Sequence, residues 1–248
     1  MSDKLLKYYQ EFSLETVSEA PNATGLYAWY ASLNAGPKDW EMQIVDSEDK
    51  GIERLRNILR KQTDRFGFRT LETKAIGPFS QTWTGQLNDQ TSNVLKDILS
   101  SSNDTQNQDS NNEKGAPKLQ ASLESPDSRY LLVKALESAS PFLSSPIYIG
   151  VAENLNSRLS DHARDIKKLT SKVAKDPGAR DTLKKLSKKS FAIRAVVSGF
   201  SPANLLVWTF NLDSLAEDLE IDTQEHRTVA EAAEWILNRW NRPYLGVR

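Results

Sequence analysis

The chain contains no cysteine. That excludes disulfides and every metal site built on thiolates. It also suits a reducing compartment, so a cytoplasmic location is expected. No stretch approaches the ~20 consecutive apolar residues that a membrane-spanning helix needs. The opening MSDKLLKYYQEF lacks the apolar run of a signal peptide. Apolar residues are scarce: they make up 38% of the chain, and the mean hydropathy is −0.56. Both values are low for a compact globule, so a polar segment outside the core is expected. The length of 248 residues fits one large domain, or one small domain carrying insertions.

Net charge is nearly absent too, at −1. That alone gives no reason to expect a polyanion partner, but the distribution does. From Arg158 to Arg194 there are twelve Lys/Arg and four Asp, or +8, so the remainder carries −9. Such asymmetry marks this segment as a candidate surface for nucleic acid.

What is present organises itself along the chain. Residues 3–12 read as a short helix. Gly25-Leu26-Tyr27-Ala28-Trp29-Tyr30 reads as an aromatic-rich strand after a turn at Pro21-Asn22. Ile52, Leu55, Ile58 and Leu59 share one helical face. Leu71 to Leu87 reads as two strands joined at Gly77-Pro78. Ser100 to Ser128 is rich in Ser, Asn, Asp and Gln and poor in large apolar residues. Such a segment cannot bury enough surface to offset its ordering entropy, so disorder is expected there. A helix follows from about Arg129 to Ser138. Pro146 to Gly150 reads as a buried strand, Ala152 to about Lys175 as a helix, and Arg180 to Lys188 as a second, basic helix. Phe191–Val197 and Leu205–Leu212 are apolar enough for core strands. The last helix runs from about Val229 to Trp240, ahead of Pro243.

Several of these pieces line up. One strand carries Gly25-Leu26-Tyr27 and another Tyr148-Ile149-Gly150. A helix then places Arg158 and His162 one turn apart, on one face. A late helix carries Glu234, nine residues before Pro243. This constellation resembles the GIY-YIG nuclease superfamily over residues 25–40 and 145–246. The resemblance implies an α+β (α/β) fold in which the two tyrosine motifs lie on adjacent strands of a small antiparallel sheet flanked by helices. It implies a single domain over 1–248, with 41–144 as a long insertion between the motif strands. It also implies catalytic roles for Tyr27, Tyr148, Arg158 and His162, and a metal-binding role for Glu234. The sequence departs from the family pattern at Val151, where a Lys is common, and at Gly246, where an Asn is common.

Helix periodicity bears on the same residues. At about 100° per residue, the apolar stripe of the 152–175 helix is Leu155, Leu159, Ile166, Leu169 and Val173. His162 falls inside that stripe and Arg158 at its edge. Taken alone, His162 reads as a core histidine; beside Arg158 and Tyr148 it reads as a site residue. On the last helix the stripe is Val229, Ala233, Ile236, Leu237 and Trp240. Glu231 points away from it and completes a Thr-x-x-Glu capping box with Thr228. Glu234 borders the stripe. His226 reads as a surface residue and Trp235 as an interface residue.

Phosphodiester hydrolysis needs an activated water, charge neutralisation on phosphate and help for the leaving oxygen. Glu234 is a hard oxygen ligand suited to one Mg²⁺ or Mn²⁺ ion. Arg158 offers a planar fork for phosphate oxygens. The resemblance gives Tyr27 the general-base or water-orienting role. Lys184, Lys185, Lys188 and Lys189 are candidate contacts to the phosphate backbone. The expectation is a divalent-metal-dependent DNA endonuclease. The alternatives are a nucleic-acid-binding module that has lost catalysis, towards which Val151 and Gly246 lean, and a protein-interaction domain.

Overall fold

The computed structural model describes residues 7–66, 71–76, 82–87, 116–186, 190–221, 225–241 and 243–246. From the N-terminus these residues form strand β1 (Tyr9–Ser13), a 3₁₀ turn at Val17–Glu19 and strand β2 (Gly25–Ala31). Next come a one-turn helix α1 (Pro37–Trp40), short strands β3 (Ile44–Val45) and β4 (Glu48–Asp49), and helix α2 (Lys50–Phe66). Strands β5 (Leu71–Ile76) and β6 (Thr82–Leu87) follow. After residue 115 come helices α3 (Ala116–Glu124) and α4 (Pro126–Leu143), strand β7 (Tyr148–Ala152) and helices α5 (Leu155–Lys175), α6 (Ala179–Lys184) and α7 (Phe191–Val197). A 3₁₀ turn at Pro202–Asn204 leads into strand β8 (Leu205–Asn211), helix α8 (Leu212–Asp218) and helix α9 (His226–Asn241). The fold is mixed α+β, with a small antiparallel sheet flanked by helices. Among the described residues, no helix is long and apolar enough to cross a membrane.

The chain divides into two compact units. One comprises Met1–Asn34 with Glu137–Arg248, the other Ala35–Leu136. The first is built on an antiparallel sheet of order β1-β8-β2-β7. Thus β2 lies between β8 and β7, and its register with β7 sets Tyr27 opposite Gly150 and Trp29 opposite Tyr148. Along β2, Gly25, Tyr27, Trp29 and Ala31 are buried, while Leu26, Ala28 and Tyr30 are half-buried. This is the period-two alternation of a strand. Helix α5 packs on this sheet through Leu155, Leu159 and Ile166, all fully buried. Each such side chain contributes about 1.5–3 kcal/mol relative to exposure. Asn154 caps α5 by accepting from the Ser157 N–H.

Several elements differ from the sequence expectation. Residues 9–13 are a strand, not part of a helix, because Tyr-Gln-Glu-Phe-Ser pairs along β8 from Tyr9↔Phe210 to Ser13↔Leu206. Phe191–Val197 is a helix, not a core strand. Ser190 caps its start by accepting from the Ile193 N–H, and Gly199, at φ +85°, ends it. The Phe200 N–H reaches back to the Ala195 carbonyl and the Gly199 N–H to Val196, which is a Schellman-type finish. Its buried positions, Phe191, Ala192, Ala195 and Val196, follow helical spacing; a short apolar run cannot be assigned from apolarity alone. The expected disordered stretch is helical from residue 116 onward, in α3 and the start of α4; residues 100–115 lie outside the described residues, as does the Gly77-Pro78 turn.

In the second unit, Leu55, Leu123 and Val133 form a buried cluster, with Leu59, Leu119 and Trp40 packed against it. This accounts for the order of 116–133: the few apolar residues there are spaced to meet α2. Arg129, fully buried, donates from Nε to the Leu123 carbonyl at 2.6 Å and from Nη2 to Asp49 at 2.6 Å. Nη1 donates to the Trp40 carbonyl at 3.3 Å, so every guanidinium nitrogen has an acceptor.

Helix α9 packs on β7 and β2 with a face other than the expected stripe. Ala230 is buried, and Ala233, Glu234, Leu237 and Asn238 are half-buried. Val229, Ile236 and Trp240 are exposed. The small alanines let the helix approach the sheet closely, and the bulky residues turn outward. The capping box of Thr228 and Glu231 does not form, since α9 starts at His226 and Glu231 accepts from Arg227 Nε at 2.8 Å. His226 is not a plain surface residue either: its Nδ1 lies 2.7 Å from Asp213 Oδ1. Trp235 is exposed, with the Arg239 guanidinium 3.4 Å from its ring centroid.

Candidate active site

Pairing of β2 with β7 puts the two tyrosine motifs side by side. The ring of Tyr27 crosses the backbone of Gly150: a Cβ at that position would lie 2.5 Å from both the Tyr27 Cζ and Oη. Only glycine leaves room for the ring. From α5, His162 meets the tip of that ring, with Nε2 2.9 Å from Tyr27 Oη. One turn earlier, Arg158 Nε donates to the same oxygen over a long 3.4 Å. Arginine can only donate, so the Tyr27 oxygen accepts from Arg158 and its own O–H is available to His162.

His162 is enclosed by four aromatic rings. Centroid distances from its ring are 5.7 Å to Tyr27, 6.4 Å to Trp29, 6.3 Å to Tyr148 and 5.3 Å to Phe191. Phe191 stacks on Tyr148 at 4.7 Å and on Trp29 at 5.5 Å. This apolar enclosure disfavours the imidazolium. Burial first, and then the charges of Arg158 and Arg194, lower the His162 pKa to about 3 against the opposing Asp161. The ring is neutral throughout the physiological range. Burial, followed by the neighbouring Tyr148 hydroxyl, pushes the Tyr27 phenol well above its ordinary value, with Arg158 acting the other way. Tyr27 and His162 therefore share a hydrogen bond between two neutral groups.

Helix α9 brings Glu234 into the electrostatic reach of Arg158. Burial, then Glu231, raises the Glu234 carboxyl, while Asn238 and Arg158 pull it down. Asn238 Nδ2 donates to the Glu234 backbone carbonyl at 3.0 Å and lies 3.5 Å from its Oε1. Gly246 has no side chain to offer, but Asn238 Oδ1 lies 3.7 Å from where its Cβ would be. An amide from the helix thus borders position 246.

The structure brings together Tyr27, Tyr148, Arg158 and His162, and holds Glu234 half-buried on α9, where the charge of Arg158 acts on it. It does not do the same for the expected lysines. Lys184 is exposed and paired with Asp181 at 3.2 Å. Lys185 is exposed at the end of α6, and Lys188 and Lys189 lie outside the described residues. Phe191, Arg194 and Asn238 join the site without having been anticipated. Reading Ser190 as an N-cap and Gly199 as a helix end would have put Phe191 and Arg194 on one helical face, three residues apart. Asn238 was four residues from Glu234, one turn on the same face.

No family model, curated protein or solved structure matches the chain.

Proposed function

We propose that the protein is a divalent-metal-dependent endonuclease of the GIY-YIG type, hydrolysing phosphodiester bonds in DNA. The observation that carries this reading is the buried contact of Tyr27 Oη with His162 Nε2 at 2.9 Å, with Arg158 Nε on the same oxygen. A structural core histidine needs no arginine at its partner's hydroxyl. Phosphoryl-transfer sites need a cation and a proton acceptor together at one point.

Arg158 binds the scissile phosphate through its guanidinium fork. Tyr27 holds the attacking water through its oxygen lone pair and hands its own proton to His162 Nε2 as that water loses one. His162 is a weak base in the resting protein because burial and two guanidinium charges depress it. A phosphate seated on Arg158 offsets part of that charge and raises the basicity of His162 when substrate is present. Tyr148 packs beside Tyr27 at a ring distance of 6.1 Å. Glu234 fits one divalent ion: a half-buried carboxylate with Asn238 steadying one oxygen is a hard donor, and Mg²⁺ keeps most of its coordination for water and phosphate. Such an ion, when bound, stabilises charge on the leaving oxygen.

A binding module without catalysis is the second reading. The neutral resting state of both Tyr27 and His162 favours it, because neither is a ready base. Assays of single-stranded, duplex and branched DNA with Mg²⁺ or Mn²⁺ separate the two, with Arg158→Ala as control. Cleavage that depends on metal and Arg158 supports the nuclease. Tight binding without cleavage supports the module, and neither outcome supports both.

A further inference from the structure

Arg194 is the one arginine at this site that the mechanism above does not use on substrate. It stands on α7, where its guanidinium lies over the Tyr148 ring, 5.6 Å from the centroid. Its side chain is half-buried, and its Nε is buried with no hydrogen-bond partner among the described residues. Nor does it form an ion pair with a described carboxylate. The guanidinium as a whole makes no hydrogen bond among the described residues, so its Nη groups, on a half-buried side chain, are open to a ligand acceptor. Tyr148 itself gives only the face of its ring, which holds a cation without satisfying its N–H groups. Arg180, by contrast, spends Nε and Nη2 on the Val197 carbonyl, closing the end of the same helix. Arg194 is therefore not needed as a helix cap.

Two guanidiniums flank the His162 enclosure: Arg158 from α5, on Tyr27, and Arg194 from α7, over Tyr148. Both act on His162 with the same sign. Arg158 is itself opposed only in part, by Asp161 and Glu234. A single phosphate on Arg158 leaves Arg194 without an anionic partner; a strand with successive phosphates supplies one. We propose that Arg194 binds a second phosphate of the nucleic-acid strand, next along the chain from the scissile one held by Arg158, with its guanidinium held over the Tyr148 ring. This rests on the nuclease reading and extends it to a residue outside the two motifs.

The test is binding of the full chain to a fluorescein-labelled duplex in EDTA across an NaCl titration, followed by cleavage kinetics with Mn²⁺. Wild type, Arg194→Ala, Arg194→Gln and Arg194→Lys are compared, each with its thermal midpoint measured. Loss of one phosphate contact reduces the slope of log K against log salt by about 0.9. Arg194→Ala and Arg194→Gln are expected to show that reduction, with affinity about tenfold weaker at low salt. Their KM rises by more than their kcat falls, and Arg194→Lys restores most of the slope. If Arg194→Ala fails to fold, Arg194→Gln and Arg194→Lys give the same two readouts. An unchanged slope overturns the assignment while leaving the nuclease reading intact. So does a fall in kcat at constant KM, which would mean that Arg194 only braces Tyr148. If wild type binds no DNA, the nuclease reading falls and this assignment with it.

Discussion

Tyr27 and Gly150 face each other across the β2–β7 pair, and the tyrosine ring occupies the space that any other residue at 150 would fill. The aromatic enclosure leaves the ring nowhere to move without breaking its contact with His162. Gly150→Ala is therefore expected to lose cleavage by at least tenfold and to destabilise the fold by about 1–3 kcal/mol, as overpacking does. Cleavage rate and chemical-denaturation midpoint, measured on the same preparation, check this. Wild-type cleavage by Gly150→Ala would show that Tyr27 need not sit where it does.

The Tyr27 hydroxyl has a role separable from its ring. Tyr27→Phe keeps the packing and leaves His162 Nε2 and Arg158 Nε without their shared partner. The expected stability cost is about 1–3 kcal/mol for the open buried groups. The expected rate loss is ~10²–10⁴, the usual range for removing a positioned proton-transfer group, with DNA affinity retained. A Tyr27→Phe variant that cuts at the wild-type rate would remove Tyr27 from the chemistry.

His162 makes a pH prediction. Its pKa is about 3 in the folded chain against an ordinary 6.5. Between those values the unfolded chain binds a proton there that the folded chain does not. The stability gained by keeping His162 neutral is thus complete above pH 6.5 and is lost as pH falls towards 3, with a slope of up to about 1.4 kcal/mol per pH unit. The raised Glu234 carboxyl acts with the opposite sign, since its contribution is present at low pH and lost as pH rises. His162→Gln is expected to flatten the fall of denaturation free energy between pH 7 and 4. The chain has two histidines, so NMR of a His226→Gln background reads His162 alone. Its ring signals should not titrate above pH 4, and a titration near 6.5 would contradict the buried, neutral assignment.

Much of this site was legible in the sequence because its geometry is local. Arg158 and His162 share a helical face at a spacing of four, and the apolar stripe of α5 already enclosed His162. The neighbouring strands were legible from Gly25-Leu26-Tyr27 and Tyr148-Ile149-Gly150, since both runs are apolar and short. Contacts that depend on packing at a distance were not. Arg194 and Phe191 reach the site through a seven-residue helix whose apolar run looks equally like a strand, and only its caps distinguish the two. The buried face of α9 was misjudged because hydrophobicity favoured Ile236 and Trp240, whereas close approach to the sheet favoured Ala230 and Ala233. Glu234 lies within the packed face of α9, not at the border of an apolar stripe as the periodicity suggested. Residues 9–13 were misread because β1 owes its conformation to β8, almost two hundred residues away.

The most direct test of the nuclease reading is single-turnover cleavage of end-labelled DNA by wild type and by Glu234→Gln, with saturating Mn²⁺ and with EDTA. Binding is measured on the same substrate. Wild type should cut only with the metal; Glu234→Gln should bind the DNA as tightly and cut at least 100-fold more slowly, a loss within the range for a removed catalytic group. Absence of metal-dependent cleavage by wild type, or equal rates for the two proteins, would contradict it.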